Sequence, residues 1–309
     1  MNNLENVLKL TCINKTYGKT KAVDDVSITI KKGDIYGLIG KNGAGKTTLL
    51  RIVTSLTFPD SGEIELFGET SEKGLQEARA RMGCVIEMPA LYPNLTAIQN
   101  LEYYQQFKGI PNKNVIKEKL ELVGLADTGK KKFKDFSLGM KQRLGIALAL
   151  LNNPDFVILD EPINGLDPAG IVELREFIKR LNLEHNITIL ISSHLLAELS
   201  LIATRYGIID HGKIVKELTD DELKEACKRS LVINVDDTSN AVAVMENVLK
   251  INNFKVISNT EIKIYDLTLD PAELNYQLNT GGIRVQNMME MGDNLEDYFM
   301  SLVEEGHYV

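Results

Sequence analysis

The stretch GLIGKNGAGKTTLLRI, Gly37 to Ile52, constrains the fold of this chain more than any other. An apolar run, Ile35 to Ile39, leads into Gly40, four further residues, and then Gly45-Lys46-Thr47 opening a helical pattern. Glycines there let backbone N–H groups converge on one point without side-chain obstruction. The helix start and Lys46 add positive potential, and the Thr47 hydroxyl is a ligand for a hard divalent cation. The sequence predicts a phosphate-binding loop at the end of a buried strand.

The surrounding pattern is α/β. Leu8 to Ile13 and Ala22 to Ile30 alternate apolar and polar residues, as half-buried antiparallel strands do. Phe156 to Leu159 and Ile187 to Ile191 are continuous apolar runs, suited to a parallel sheet buried on both faces. Residues from about 89 to 136 read as mostly helical. Thr96 and Gln99 have capping-box spacing, opening a helix whose Leu101, Tyr104 and Phe107 fall at the interval of a core-facing stripe. YGIIDHGKIVKEL reads as a hairpin turning at His211-Gly212. Thr219 and Glu222 repeat the capping-box spacing on a helix ending near Lys228. From Ser230 a new strand–helix–strand–strand–helix–strand order begins, with a last helix over 295–302. The expected division is 1–220, with a helical subdomain at about 88–138, and a small α+β domain over 221–309.

Composition excludes several classes. With 309 residues, 44% hydrophobic and 25% charged, the chain has ample core. A net charge of −8 argues against a broad basic surface for nucleic acid. Cys12, Cys84 and Cys227 are too scattered for a disulfide framework or a zinc site, so reduced thiols are expected. MNNLENVLKL shows no basic stretch followed by an apolar one, so no export signal is expected. The longest apolar run, Ile146 to Leu151, is far short of the ~20 residues that cross a bilayer. Any membrane-spanning part must come from another protein.

Three further segments carry chemistry. In FVILDEP, four apolar residues deliver Asp160 and Glu161 to the end of a buried strand, where charge needs a partner. Asp160 fits an acid that holds Mg²⁺ beside a phosphate loop, and Glu161 fits a general base for water. In FSLGMKQRLGIALALL, Ser137 and Gly139 stand at a helix N-terminus, which is a second anion site. One nucleotide does not need both in one subunit, which suggests that two subunits share it. In CVIEMPALYPNLT, Cys84-Val85-Ile86 reads as a buried strand that releases Glu87 at its end.

Taken in order, these residues resemble the ATP-binding cassette of ABC transporters, over roughly residues 5 to 220. Tyr17 matches the aromatic that stacks on adenine. Gly40, Lys41, Asn42, Gly43, Ala44, Gly45, Lys46 and Thr47 match the Walker A loop, with Thr48 following. Ser137 to Met140 match the signature, Phe156 to Glu161 match Walker B with the catalytic glutamate, Asp167 matches the D-loop, and His194 matches the switch histidine. The resemblance implies a mixed-sheet core with an antiparallel β subdomain and a helical subdomain. It also implies ATP and Mg²⁺ as ligands, with Thr47, Glu87 and Asp160 at the metal, and Glu161 and His194 as catalytic residues. Two copies would pair head to tail on ATP, with Ser137 and Gly139 acting in trans. A membrane permease would be the partner, at the cytoplasmic face of the membrane. Ser193, His185, His211 and His307 receive no role.

The sequence departs from the family pattern twice. The signature reads S-L-G-M rather than S-G-G-Q, and Glu87 stands where a glutamine is usual. A carboxylate there is charged and accepts hydrogen bonds only. The glutamate, the signature and the ending NLEDYF resemble ATPases that export bacitracin, lantibiotics and similar peptide antibiotics, and export with self-protection is the expected function. A soluble cassette ATPase acting on ribosomes or DNA, and a motor for import, remain open alternatives.

Overall fold

The computed structural model describes residues 5–87, 91–111, 114–227, 230–265 and 270–291, together with 295, 298, 299 and 302. It divides into two compact units, one within residues 1–220 and the other within 221–305.

The first unit contains two sheets. Strands β1 (Asn6–Tyr17), β2 (Thr20–Lys31), β3 (Ile35–Ile39), β4 (Ser61–Leu66) and β5 (Met82–Val85) come first, with helices α1 (Lys46–Val53) and α2 (Glu72–Arg79) among them. Helices α3 (Ala97–Phe107), α4 (Val115–Leu122) and α5 (Leu138–Ala149) follow. The chain then alternates through β6 (Phe156–Asp160), α6 (Pro168–Leu183), β7 (Thr188–Ser193), α7 (Leu196–Leu199), β8 (Arg205–Asp210) and β9 (Lys213–Thr219). One sheet is antiparallel, in the order β2-β1-β4. The other has six strands in the order β5-β6-β7-β3-β8-β9, parallel except for the final β8–β9 pair.

Burial follows from position in these sheets. Every residue of the central strands β3, β6 and β7 is buried, as their unbroken apolar runs require. Strands β1 and β2 are covered on one face, and their Leu8, Leu10, Ile28 and Ile30 share a core with Leu49 and Leu50 of α1 and with Ile158 and Leu190. The phosphate-loop helix is thus clamped between the two sheets. Hairpin β8–β9 turns at His211 and Gly212, both at positive φ (45° and 81°), as a type I′ turn needs.

Two expectations about burial are corrected. Cys84 is exposed, because β5 is the edge strand and alternates, with Gly83 and Val85 buried. Phe107 is 79% exposed, so the aromatic stripe of α3 is not core. The Thr96–Gln99 capping box does form, and α3 buries Ala97, Asn100 and Leu101 in its first turns. Its far end projects beyond that packing. There Tyr103 meets Tyr92 edge-on at 4.8 Å between ring centroids.

The second unit, after α8 (Asp220–Ala226), runs β10 (Ser230–Val235), α9 (Thr238–Asn247), β11 (Phe254–Val256), β12 (Glu261–Ile264), α10 (Pro271–Thr280) and β13 (Val285–Met291). Its antiparallel sheet has the order β11-β12-β10-β13, the ferredoxin-like arrangement. Leu231, Ile233, Val235, Ile262 and Ile264 point to one face and pack on Met245, Leu274 and Leu278 of the two helices. Pro89 and Lys228 lie outside the described residues, as does half of the expected helix over 295–302. Among the described residues, no helix is long and apolar enough to cross a membrane.

Candidate active site

Strand β3 ends at Ile39, and the chain turns through Gly40 to Gly45 into α1. Gly45 adopts φ 108°, and a Cβ there would lie 2.3 Å from the Ala22 carbonyl oxygen. No other residue fits that position. Gly43, at φ 86°, points its missing side chain into open space, where a ligand can approach the backbone. The turn of the β8–β9 hairpin braces the loop, since Gly212 N–H donates to the Ala44 carbonyl at 2.9 Å. Helix α1 has no side-chain cap and no acidic residue in its first turn, so no side chain of its own first turn competes for its leading N–H groups. Asn42, Gly43, Gly45, Lys46, Thr47 and Thr48 line an open cleft of about 440 Å³, with Lys21, Glu161 and His211 on its other walls. An anion fits there.

Strands β6 and β7 deliver the carboxylates. Asp160 is 5% exposed and stands opposite Ser192 in the parallel ladder. Thr47 Oγ1 donates to Asp160 Oδ2 at 2.9 Å, and Ser192 Oγ donates to Oδ1 at 2.6 Å. A hydroxyl beside a carboxylate is the hard-oxygen donor pair that Mg²⁺ takes. The next residue, Glu161, leaves the strand at φ 48°, and its N–H donates to Ser192 Oγ at 2.9 Å. Such backbone costs ~1–3 kcal/mol and persists only where the surroundings hold it.

The Glu161 carboxylate sits between two cationic or donor groups. Lys46 Nζ lies 3.1 Å from Oε1, and His194 Nδ1 lies 2.8 Å from Oε2. An ionised carboxylate only accepts, so that contact selects the tautomer with hydrogen on Nδ1. Lys46 is aimed mainly at the carbonyls of Gly40 and Lys41, at 2.6 and 3.2 Å. Oε1 therefore has the charge of Lys46 beside it but no aligned hydrogen bond.

Other expected residues lie apart from this cluster. Tyr17 is 48% exposed at the end of β1, paired with Thr20, which lines the cleft. Ser137 caps α5, its Oγ accepting from Met140 N–H at 3.3 Å, and neither it nor Gly139 lines the cleft of its own chain. Asp167 caps α6, with Oδ1 accepting from Gly170 N–H at 3.1 Å. Glu87, expected at the metal, is 58% exposed at φ 60° and forms an ion pair with Arg51 of α1. Ser192 and Arg51 were not legible as site residues, although the alternation of β7 places Ser192 on the face of Leu190 and beside Asp160.

A family model described as ABC transporter matches residues 23–164. The chain is 44% identical over 303 residues to the bacitracin transport ATP-binding protein BcrA of Bacillus licheniformis, covering 98% of this chain and 99% of that protein. It is 45% identical over 212 residues to the lantibiotic transport ATP-binding protein SrtF of Streptococcus pyogenes, covering 68% of this chain and 90% of that protein. A solved ATP-binding cassette, dimeric in a post-hydrolysis state with ADP and phosphate, is 27% identical with a TM-score of 0.62, covering 69% of this chain and 98% of that one. With Asp160 bonded to Thr47 of its phosphate loop, and Glu161 held between Lys46 and His194, the chain belongs to the ABC transporter family as an ATP-binding, ATP-hydrolysing subunit.

Proposed function

We propose that this chain powers a separate membrane permease that expels a peptide antibiotic of the bacitracin or lantibiotic type, and so protects the cell that makes it. One observation carries the reading: the likeness to the bacitracin transport protein runs through both compact units, over 98% of the chain, and not through the cassette alone.

The chemistry follows from the cleft. The phosphates of ATP would meet the N–H groups of the loop and the ammonium of Lys46, and Tyr17 would stack on the adenine. Mg²⁺ bound through Thr47 and Asp160 would neutralise charge on the phosphate oxygens. Glu161 would take the proton from the attacking water, and His194 would orient Glu161 and respond to loss of the γ-phosphate. Ser137 and Gly139 open a second anion site away from the cleft, which supports their acting on the nucleotide of a second copy. Two copies closing on ATP would convert hydrolysis into movement of the permease, on the cytoplasmic face of the membrane.

The test is coexpression of this chain with its permease in an antibiotic-sensitive Gram-positive host. The inhibitory concentration of bacitracin or of a lantibiotic should rise several-fold, and Glu161→Gln should cancel the rise. ATPase activity in the membranes without protection against either compound sinks the export reading.

A further inference from the structure

Ser192 is fully buried at the end of β7 and makes two contacts at once. Its Oγ accepts from Glu161 N–H at 2.9 Å and donates to Asp160 Oδ1 at 2.6 Å. A serine hydroxyl has a single hydrogen to donate. With the peptide N–H pointing at its oxygen and an ionised carboxylate opposite, that hydrogen has one destination. The chain of donation runs from Glu161 N–H through the Ser192 hydroxyl to Asp160 Oδ1.

We infer that Ser192 is a positioning residue for both carboxylates of the site, and that the whole of its effect passes through this hydroxyl. It engages Oδ1 of Asp160 and thereby turns Oδ2 toward the Thr47 hydroxyl, 2.9 Å away. It also gives the Glu161 N–H a partner where the left-handed backbone, at φ 48°, takes that group out of the sheet ladder. The cross-strand register puts Asp160 and Ser192 directly opposite, so no backbone adjustment is needed to make the contact. Without the hydroxyl, a buried carboxylate oxygen and a partly buried N–H both lose a partner, and Thr47 alone is left to orient Asp160. The neighbouring Ser193 does something else: its Oγ accepts from Leu195 N–H at 3.0 Å, a local turn contact.

This inference rests on the roles proposed above for Asp160 and Glu161, and its test separates the two. Binding of Mn²⁺, the probe for the divalent site, is measured by electron paramagnetic resonance in the presence of ADP, beside steady-state ATP hydrolysis. Ser192→Ala is expected to lower kcat at least 10-fold, to change KM for ATP less than 3-fold and to weaken Mn²⁺ binding several-fold. Ser192→Thr and Ser192→Val add the same bulk and differ in the hydroxyl. Thr is expected to restore Mn²⁺ binding and turnover relative to Val. Unchanged kcat and Mn²⁺ affinity in Ser192→Ala, or a Thr variant no better than the Val variant, overturns the inference. Glu161→Gln run alongside keeps the readouts distinct: it is expected to abolish hydrolysis with Mn²⁺ binding intact, and full hydrolysis there overturns the general-base role alone.

Discussion

Lys46 Nζ lies 3.1 Å from Glu161 Oε1, with the two side chains 5% and 19% exposed. The cation expected to meet phosphate and the carboxylate expected to activate water are held against each other across the cleft. Each therefore offsets the other's buried charge when no nucleotide stands between them. That pairing sets the expected response of both residues to substitution.

Glu161→Gln keeps the shape of the side chain and removes its basicity. Turnover should fall at least ~100-fold, in the range expected for a lost general base. ATP binding should persist and the ATP-bound dimer should accumulate. Phosphate release and size-exclusion chromatography in ATP measure the two effects.

Lys46→Ala removes the phosphate-facing cation and leaves Glu161 Oε1 with no charge partner at its side. Nucleotide affinity should drop ~10-fold or more, since charge-assisted contacts to phosphate are the strong ones. Fluorescent-nucleotide titration reads the loss directly.

Gly45→Ala forces a Cβ to within 2.3 Å of the Ala22 carbonyl oxygen, at a φ of 108° that side chains rarely adopt. The loop must shift, so nucleotide binding should be lost even though Lys46 and Thr47 remain. The same titration, with circular dichroism as a check on folding, measures it.

Glu87→Gln removes an ion pair whose members, Arg51 and Glu87, are 41% and 58% exposed. Stability should change by less than ~1 kcal/mol, as for other exposed pairs. With Arg51 holding Glu87, the Mg²⁺ concentration for half-maximal ATPase activity should stay within 2-fold of the parent. A larger shift shows that Glu87 reaches the metal during turnover. Loss of transport at unchanged hydrolysis assigns the charge to coupling.

Tyr36 and Tyr206 predict alkaline sensitivity. Burial and the Glu217 carboxylate push the Tyr36 phenol well above its ordinary value, and burial and Asp220 do the same for Tyr206. Their hydroxyls donate to Glu217 Oε1 at 2.7 Å and to the Ala203 carbonyl at 3.0 Å. Above pH ~10 an unfolded chain releases these protons and the folded one retains them, so stability falls as pH rises. Tyr206→Phe should cost ~1 kcal/mol near pH 7, and the gap to the parent should close above pH ~10. Thermal melts from pH 7 to 11 check the sign.

Much of the architecture was legible in the sequence because it depends on local chemistry. The loop from Gly40 to Thr47 announces itself through glycines that backbone approach demands, and the runs in β3, β6 and β7 through unbroken apolarity. The hairpin at His211-Gly212 and the box at Thr96 and Gln99 are likewise local devices. Cys84 and Phe107 were misread because burial depends on neighbours: β5 has a partner strand on one side only, and α3 outruns its packing.

The sequence by itself determined which residues could bind phosphate, hold a metal or move a proton, since those capacities belong to side-chain type and to the spacing of glycines. Only the tertiary structure decided who faces whom. The parallel register set Ser192 against Asp160. The packing of α1 between two sheets put Lys46 beside Glu161, and Arg51, one turn and more along the same helix, took Glu87. These pairings join residues 32 to 115 positions apart in the chain. Charge and hydrogen bonding act over a few ångströms of space, and chain distance does not encode that space.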